Sequence, residues 1–194
     1  MRPSIYLASH SPRRRELLMQ IGVHHTVIGV TVDETPRPHE APAEYVIRMA
    51  LEKARAGRQA TSQRTPLPVM GADTAVVVNQ RILGKPRDRQ DAIEMLMQLS
   101  DTCHKVLSGV ALIGQKEETR LSVSQVHFRA ISEEEAIAYW KSGEPADKAG
   151  GYAIQGKGAL FVTRLEGSFS GVMGLPLFET GDLLRRVGIP PLHE

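Results

Sequence analysis

Residues 69–78 read Val-Met-Gly-Ala-Asp-Thr-Ala-Val-Val-Val, apolar throughout except at Asp73 and Thr74. Such a run reads as a buried strand pair with a carboxylate inside it. A lone carboxylate there costs free energy unless it is paired, metal-bound or open to a cleft. An ion pair with a nearby lysine or arginine accounts for Asp73 as well as a catalytic role does, so the rest of the chain has to decide between them.

Around this run the periodicity alternates between strand and helix. Ile5–Ala8 has strand character; Ser9-His10-Ser11-Pro12 breaks it, with Ser11 placed to cap a helix from Arg13 to Ile21 and Pro12 at its first position. Thr26–Val30 reads as a second strand, and Val32–Pro38 as a loop bearing Glu34 between two prolines and the strand. Val46, Ile47, Ala50, Leu51 and Ala54 recur at helical spacing and predict an amphipathic helix from Ala43 to about Gln59. After a turn at Asn79–Arg81, Lys85 lies in a strand-to-helix loop ahead of a helix from Arg89 to about Leu99. Val106–Ile113 and Arg120–Phe128 read as an antiparallel pair, and Ser132–Glu135 as a capping box opening a helix that ends near Gly143. A glycine-rich loop at Asp147–Gly158, a strand at Ala159–Arg164, a loop at Gly167–Leu175 and a helix at Pro176–Val187 complete an α/β pattern. With 194 residues and no repeat or long linker, the chain is expected to form one domain over 1–194.

Composition narrows the partners. The 24 basic and 22 acidic residues nearly cancel, so no global field draws the chain to nucleic acid or to anionic lipid, and neither partner is expected. No stretch approaches the roughly 20 apolar residues that span a bilayer, and no apolar leader precedes Ile5. Together with a single cysteine, Cys103, this gives the expectation of a cytoplasmic protein without an intrachain disulfide. The seven histidines lack zinc-hydrolase spacing, and the glycine-rich segments fit neither the dinucleotide nor the Walker A pattern.

Chemistry concentrates in a few places. Ser9 to Arg15 combines hydroxyls, free amides at a helix start and the cluster Arg13-Arg14-Arg15, with Arg2 nearby; arginines in a first turn oppose the helix dipole and ask for a compensating anion, of which phosphate is the natural one. A solvated basic helix start is the plainer alternative. Glu34 could join Asp73 around a divalent cation, since hard oxygen ligands suit magnesium or manganese, although a surface carboxylate explains it equally simply. Lys53 sits on an amphipathic helix whose charged residues are ordinarily its wet face, and Lys85 stands in a rigid Lys-Pro-Arg turn.

The motifs Leu7-Ala8-Ser9-His10-Ser11-Pro12-Arg13-Arg14, Val32-Asp33-Glu34, Glu52-Lys53-Ala54, Gly71-Ala72-Asp73-Thr74, Lys85-Pro86-Arg87-Asp88, Asp147-Lys148-Ala149-Gly150 and Val172-Met173-Gly174-Leu175-Pro176 together resemble the Maf family. Their order and spacing match over essentially the whole chain. The resemblance implies a two-lobed α/β fold, related to the inosine-triphosphate pyrophosphatases, with a mixed twisted sheet flanked by helices and a central cleft. It implies hydrolysis of nucleoside triphosphates to monophosphate and pyrophosphate with a divalent cation, magnesium or manganese. By that resemblance Asp73 is the proton acceptor, Glu34 and Asp73 hold the metal, Ser9, Arg13 and Arg14 bind phosphate, and Lys53 and Lys85 neutralise the triphosphate. Arg13, Thr74 and Gln155 are similar to the dTTP/UTP subgroup rather than the 7-methyl-GTP subgroup, and a Gln amide can pair with the carbonyl and N–H edge of uracil or thymine. A non-catalytic nucleotide-binding regulator of septum formation is the alternative from another class, and a homodimer is the expected assembly.

Overall fold

The computed structural model of the protein describes residues 4–191, which leaves Arg2 outside. Its centre is a mixed sheet in the order β2-β1-β3-β5-β6-β7, with β4 also paired to β3. The strands are β1 (Ile5–Leu7), β2 (His25–Val27), β3 (Val69–Val78), β4 (Arg81–Leu83), β5 (Cys103–Ile113), β6 (Glu117–Phe128) and β7 (Val162–Glu166). β1 runs parallel to β2 and β3, while β4, β5, β6 and β7 join antiparallel. The helices are α1 (Pro12–Gln20), α2 (Pro42–Ala60), α3 (Arg89–Leu99), α4 (Glu133–Lys141), α5 (Phe169–Met173) and α6 (Leu177–Arg186). Among the described residues no helix is long and apolar enough to cross a membrane.

The expected α/β fold with a mixed sheet is therefore present, with three local corrections. Residues 69–78 form one continuous strand rather than a pair, because β5 pairs with β3 from Val69↔Ile113 to Val77↔Lys105 and leaves no place for a turn. Ala159–Arg164 is not a strand from its start: residues 157–161 form a 3-10 turn, and pairing with β6 begins at Val162↔Phe128. The loop expected at Gly167–Leu175 contains α5, which the Ser168 hydroxyl caps by accepting the Gly171 N–H at 2.9 Å.

Two glycines of the sheet set the position of α2. A Cβ at Gly71 would overlap the Ala50 carbonyl, and one at Gly109 would overlap that of Val46, so the helix backbone rests directly on the sheet. Ala50 and Ala54 complete this close seam. On the far face, one core of Val76, Leu96, Leu99, Val126, Phe128 and Tyr152 lies beneath α3 and α4, and a second of Leu7, Leu18, Met70, Leu112 and Leu184 beneath α1 and α6. Burying each such side chain contributes about 1.5–3 kcal/mol. Between these halves the sheet opens. On one edge of β3, β1 takes Val69 and Met70 and β4 takes Val76, Val77 and Val78, leaving Gly71–Ala75 with no strand partner on that side. Asp73 and Thr74 sit in this gap.

Candidate active site

The gap opens into a cleft of about 770 Å³ whose lining includes Ser9, Arg13, Arg14, Glu34, Lys53, Asp73, Thr74, Lys85 and Gln155. All nine residues singled out in the sequence thus meet in one place. The close seam between α2 and β3 explains the centre. Lys53 rises from α2 one turn beyond the glycine contact, and its Nζ lies 2.7 Å from Asp73 Oδ1 and 2.6 Å from Glu34 Oε1. Both Lys53 and Asp73 are largely buried, at 12% and 11% side-chain exposure, whereas Glu34 is 55% exposed. The carboxylate inside the strand is thus in an ion pair and also open to a cleft, which meets both conditions for keeping it. Among the described residues no other protein donor reaches Asp73, so its Oδ2 stays free.

Electrostatics follow this geometry. Partial burial pushes the Glu34 carboxyl up, but the Lys53 hydrogen bond and charge, aided by Lys85 and Arg14 at longer range, outweigh it and hold the group below its usual value. The loop carrying Glu34 is fixed from α2, where the Tyr45 hydroxyl donates to the Glu34 carbonyl at 3.0 Å. Burial, with the charges of Asp73 and Glu34, pushes that phenol up to about 12, so it remains a donor.

At the start of α1, Arg14 donates from Nε to the Gly174 carbonyl at 2.8 Å and from Nη1 to Ser9 Oγ at 3.0 Å. Burial lowers its pKa and Asp73 partly restores it. Gly174, at φ +124°, supplies the backbone bend that turns this carbonyl toward Arg14. The basic cluster divides: Arg13 and Arg14 line the cleft, while Arg15 is exposed to solvent outside it.

Thr74 contacts Ser108 Oγ at 2.8 Å, and Ser108 donates to the Gly171 carbonyl at 2.6 Å. Since Ser108 has one proton, committed to Gly171, Thr74 is the donor of the pair. The threonine therefore ties the segment of α5 to β3 from within the cleft. Ser108 escaped the sequence reading although it carries the same signal as Asp73, a polar residue inside an apolar strand. Lys148 and Tyr45 also line the cleft and were likewise given no role; Lys148 pairs with Asp147 in a motif already noted.

The glycine-rich loop, which also lines the cleft, folds as 3-10 turns over residues 144–147, 149–151 and 157–161. It is tied to the Lys85 loop by Gly150 N–H donating to the Gly84 carbonyl at 3.0 Å. Gln155 is exposed at its tip and faces the cleft, and Tyr152 anchors the loop beneath, its hydroxyl 2.8 Å from His104 Nε2.

The donor set suits a hard divalent cation. Glu34 and Asp73 present carboxylate oxygens to the same ammonium, so both are in reach of one ion. Among the described residues no group of three His, Cys, Asp or Glu could hold a metal. Two carboxylates completed by phosphate oxygens and water match magnesium, which is seldom held by protein ligands alone.

The chain is similar to several known proteins. The family model described as Maf-like protein matches residues 4–187. A protein of Alkalilimnicola ehrlichii named dTTP/UTP pyrophosphatase is 59% identical over 94% of this chain and 92% of its own length. Proteins of the same name from Saccharophagus degradans and Nitrosomonas europaea are 54% and 52% identical, over 96% and 95% of this chain and 90% and 95% of theirs. A solved nucleoside-triphosphatase / dITP/XTP pyrophosphatase from Mycobacterium abscessus superposes on 64% of this chain and 73% of its own at a TM-score of 0.42 and 18% identity, too distant to bear on the site.

Proposed function

We propose an activity from one premise: the chain belongs to the Maf-like protein family. It is a nucleoside triphosphate pyrophosphatase that converts dTTP and UTP to the monophosphate and pyrophosphate, in the cytoplasm. The observation that carries this reading is the cleft itself, in which a largely buried Asp73 with a free Oδ2 shares one lining with Lys53, Lys85, Arg13, Arg14 and the exposed amide of Gln155.

The reaction attacks the α-phosphorus and expels pyrophosphate, so the site has to bind a highly charged chain, stabilise charge on the equatorial oxygens and deprotonate water. Asp73 Oδ2 takes the proton from water, and Lys53, bound to Oδ1, fixes the carboxylate's orientation. Arg14, braced by Ser9 and Gly174, presents its guanidinium to the phosphates with Arg13, and Lys85 adds its charge from the loop after β4. Thr74 shapes the site by holding the Gly171–Gly174 segment. Magnesium or manganese would be held by Glu34 and Asp73 together with the triphosphate, where it supplies neutralisation of phosphate charge. Gln155 reads the pyrimidine by donating from its amide to a carbonyl and accepting from the ring N–H.

The test is product release from dTTP, UTP, CTP, GTP and 7-methyl-GTP in oxygen-18 water, for the parent and Asp73→Asn. The expected result is equimolar monophosphate and pyrophosphate from dTTP and UTP, with the label in the monophosphate, and a loss of roughly 10³-fold in kcat in the variant. Label in pyrophosphate, or preference for 7-methyl-GTP, would overturn the reading.

A further inference from the structure

Gln155 is exposed, yet the backbone on both sides of it is held by a buried Tyr139 and a half-buried Glu144, neither of which lines the cleft. Before it, the Ala153 N–H donates to the Tyr139 hydroxyl at 3.0 Å. That hydroxyl in turn donates to Glu144 Oε1 at 2.5 Å. After it, the Lys157 N–H donates to Glu144 Oε2 at 3.0 Å and the Gly158 N–H to Oε1 at 3.1 Å. One carboxylate and one phenol, both from α4 and the turn that follows it, therefore gather the two ends of a tight loop, which the Gly156 N–H closes by donating to the Ala153 carbonyl at 3.2 Å. The fit leaves no slack. A Cβ at Gly156 would overlap the Glu144 carboxylate, and one at Gly158 would come 2.8 Å from the Tyr139 hydroxyl. Tyr139 stands edge-on to Phe161 at 5.2 Å, which anchors the phenol in the core.

We infer that Tyr139 and Glu144 are positioning residues for base recognition: they act through Gln155, fixing where its amide stands in the cleft, and so set the preference for uracil and thymine over other bases. The inference rests on the reading of Gln155 given above. A neutral amide on a short loop discriminates only if its position is fixed, because an amide free to swing can satisfy several base edges. Of the triphosphate groups, Asp73, Arg13, Arg14 and Lys53 stand on β3, α1 and α2 and Lys85 on the loop after β4, and none of the clamp's hydrogen bonds goes to these segments, so chemistry and recognition should separate when it is loosened.

Steady-state kinetics of Tyr139→Phe and Glu144→Gln, with thermal melting, test this on dTTP, UTP, CTP and GTP. Tyr139→Phe deletes a single oxygen and keeps the ring against Phe161. Each variant is expected to raise KM for dTTP and UTP roughly tenfold while kcat stays within about twofold and the values for CTP and GTP hold, so that discrimination falls by roughly the same factor. In a Gln155→Ala background, adding Tyr139→Phe should change discrimination by less than about twofold, since the clamp then has nothing to position. A fall in kcat/KM that is equal for all four nucleotides, an unchanged KM for dTTP in folded Tyr139→Phe, or a full additional effect on top of Gln155→Ala would overturn the inference. In each of those cases a parent that still prefers dTTP and UTP leaves the proposed activity standing. A parent without that preference removes the premise, and the inference falls with it.

Discussion

At the Asp73 end of the cleft Asp73, Lys53, Arg13 and Arg14 stand on β3, α2 and the start of α1, Glu34 and Lys85 come from loops, and Lys53 bridges Glu34 and Asp73 at 2.6 and 2.7 Å. At the other end Gln155 stands in a turn between two 3-10 segments, held by the buried Tyr139, Tyr152 and His104 and the half-buried Glu144. The first arrangement is stiff because regular backbone hydrogen bonds leave little freedom, and its charges face one another across short distances. The second borrows its stiffness from the core. A perturbation at the first end should therefore alter the chemical step, and one at the second should alter stability or recognition.

The sharpest way to break the contrast is at Lys53. Lys53→Met keeps the length of the side chain on α2 but leaves Glu34 and Asp73 without the ammonium between them. The kcat for dTTP is expected to fall roughly 10²- to 10³-fold, with discrimination between dTTP and GTP held within about threefold. Steady-state kinetics on both nucleotides check this, and a loss of discrimination would merge the two ends.

The base end should respond to acid through His104. The imidazole is 1% exposed, and burial, with a smaller push from His127, lowers its pKa from 6.5 to about 4. Among the described residues its Nδ1 has no hydrogen-bond partner, so none of them welcomes a second proton there. Between pH 6.5 and about 4 the unfolded chain binds a proton that the folded chain refuses. Stability is complete above pH 6.5 and is lost as pH falls through this window, by on the order of 3 kcal/mol from this group. Urea unfolding at pH 7 and pH 4.5 checks it: the parent should lose more stability on acidification than His104→Gln, which has no proton to take up. Equal losses would contradict the burial argument.

The smallest effect separates the two ends at their junction. Ser108→Ala removes the acceptor for Thr74 and the donor to Gly171, and should lower stability by about 1 kcal/mol. Because Thr74 can turn to the Gly174 carbonyl, now 3.4 Å away, kcat should stay within a few-fold of the parent. Melting and kinetics on the same preparation check both.

The same contrast explains what could be read from the chain. The helix expected from Arg89 to Leu99 is α3 to the residue, because an Asp88 cap and a clear apolar stripe are local signals. The phosphate-ready segment was equally legible, since Ser9, Ser11 and the arginines that follow lie within one strand-to-helix turn. That Asp73 and Lys53 meet was not legible from spacing; it depends on Gly71 and Gly109 admitting α2 onto the sheet, a tertiary contact. The base end was read least well. Residues 159–161 read as the start of a strand, but Glu144 takes the N–H groups of Lys157 and Gly158 just before them, and 157–161 curl into a 3-10 turn. No local pattern reveals a carboxylate acting 13 residues away on the backbone.

On the proposed activity, one end of the cleft performs the reaction and the other chooses the base. The most direct test compares kcat and KM for dTTP in Asp73→Asn and Gln155→Ala, measured side by side. The account predicts a kcat roughly 10³-fold lower with KM within a few-fold in Asp73→Asn, and a KM roughly tenfold higher with kcat within a few-fold in Gln155→Ala. The same split between kcat and KM in both variants would contradict it.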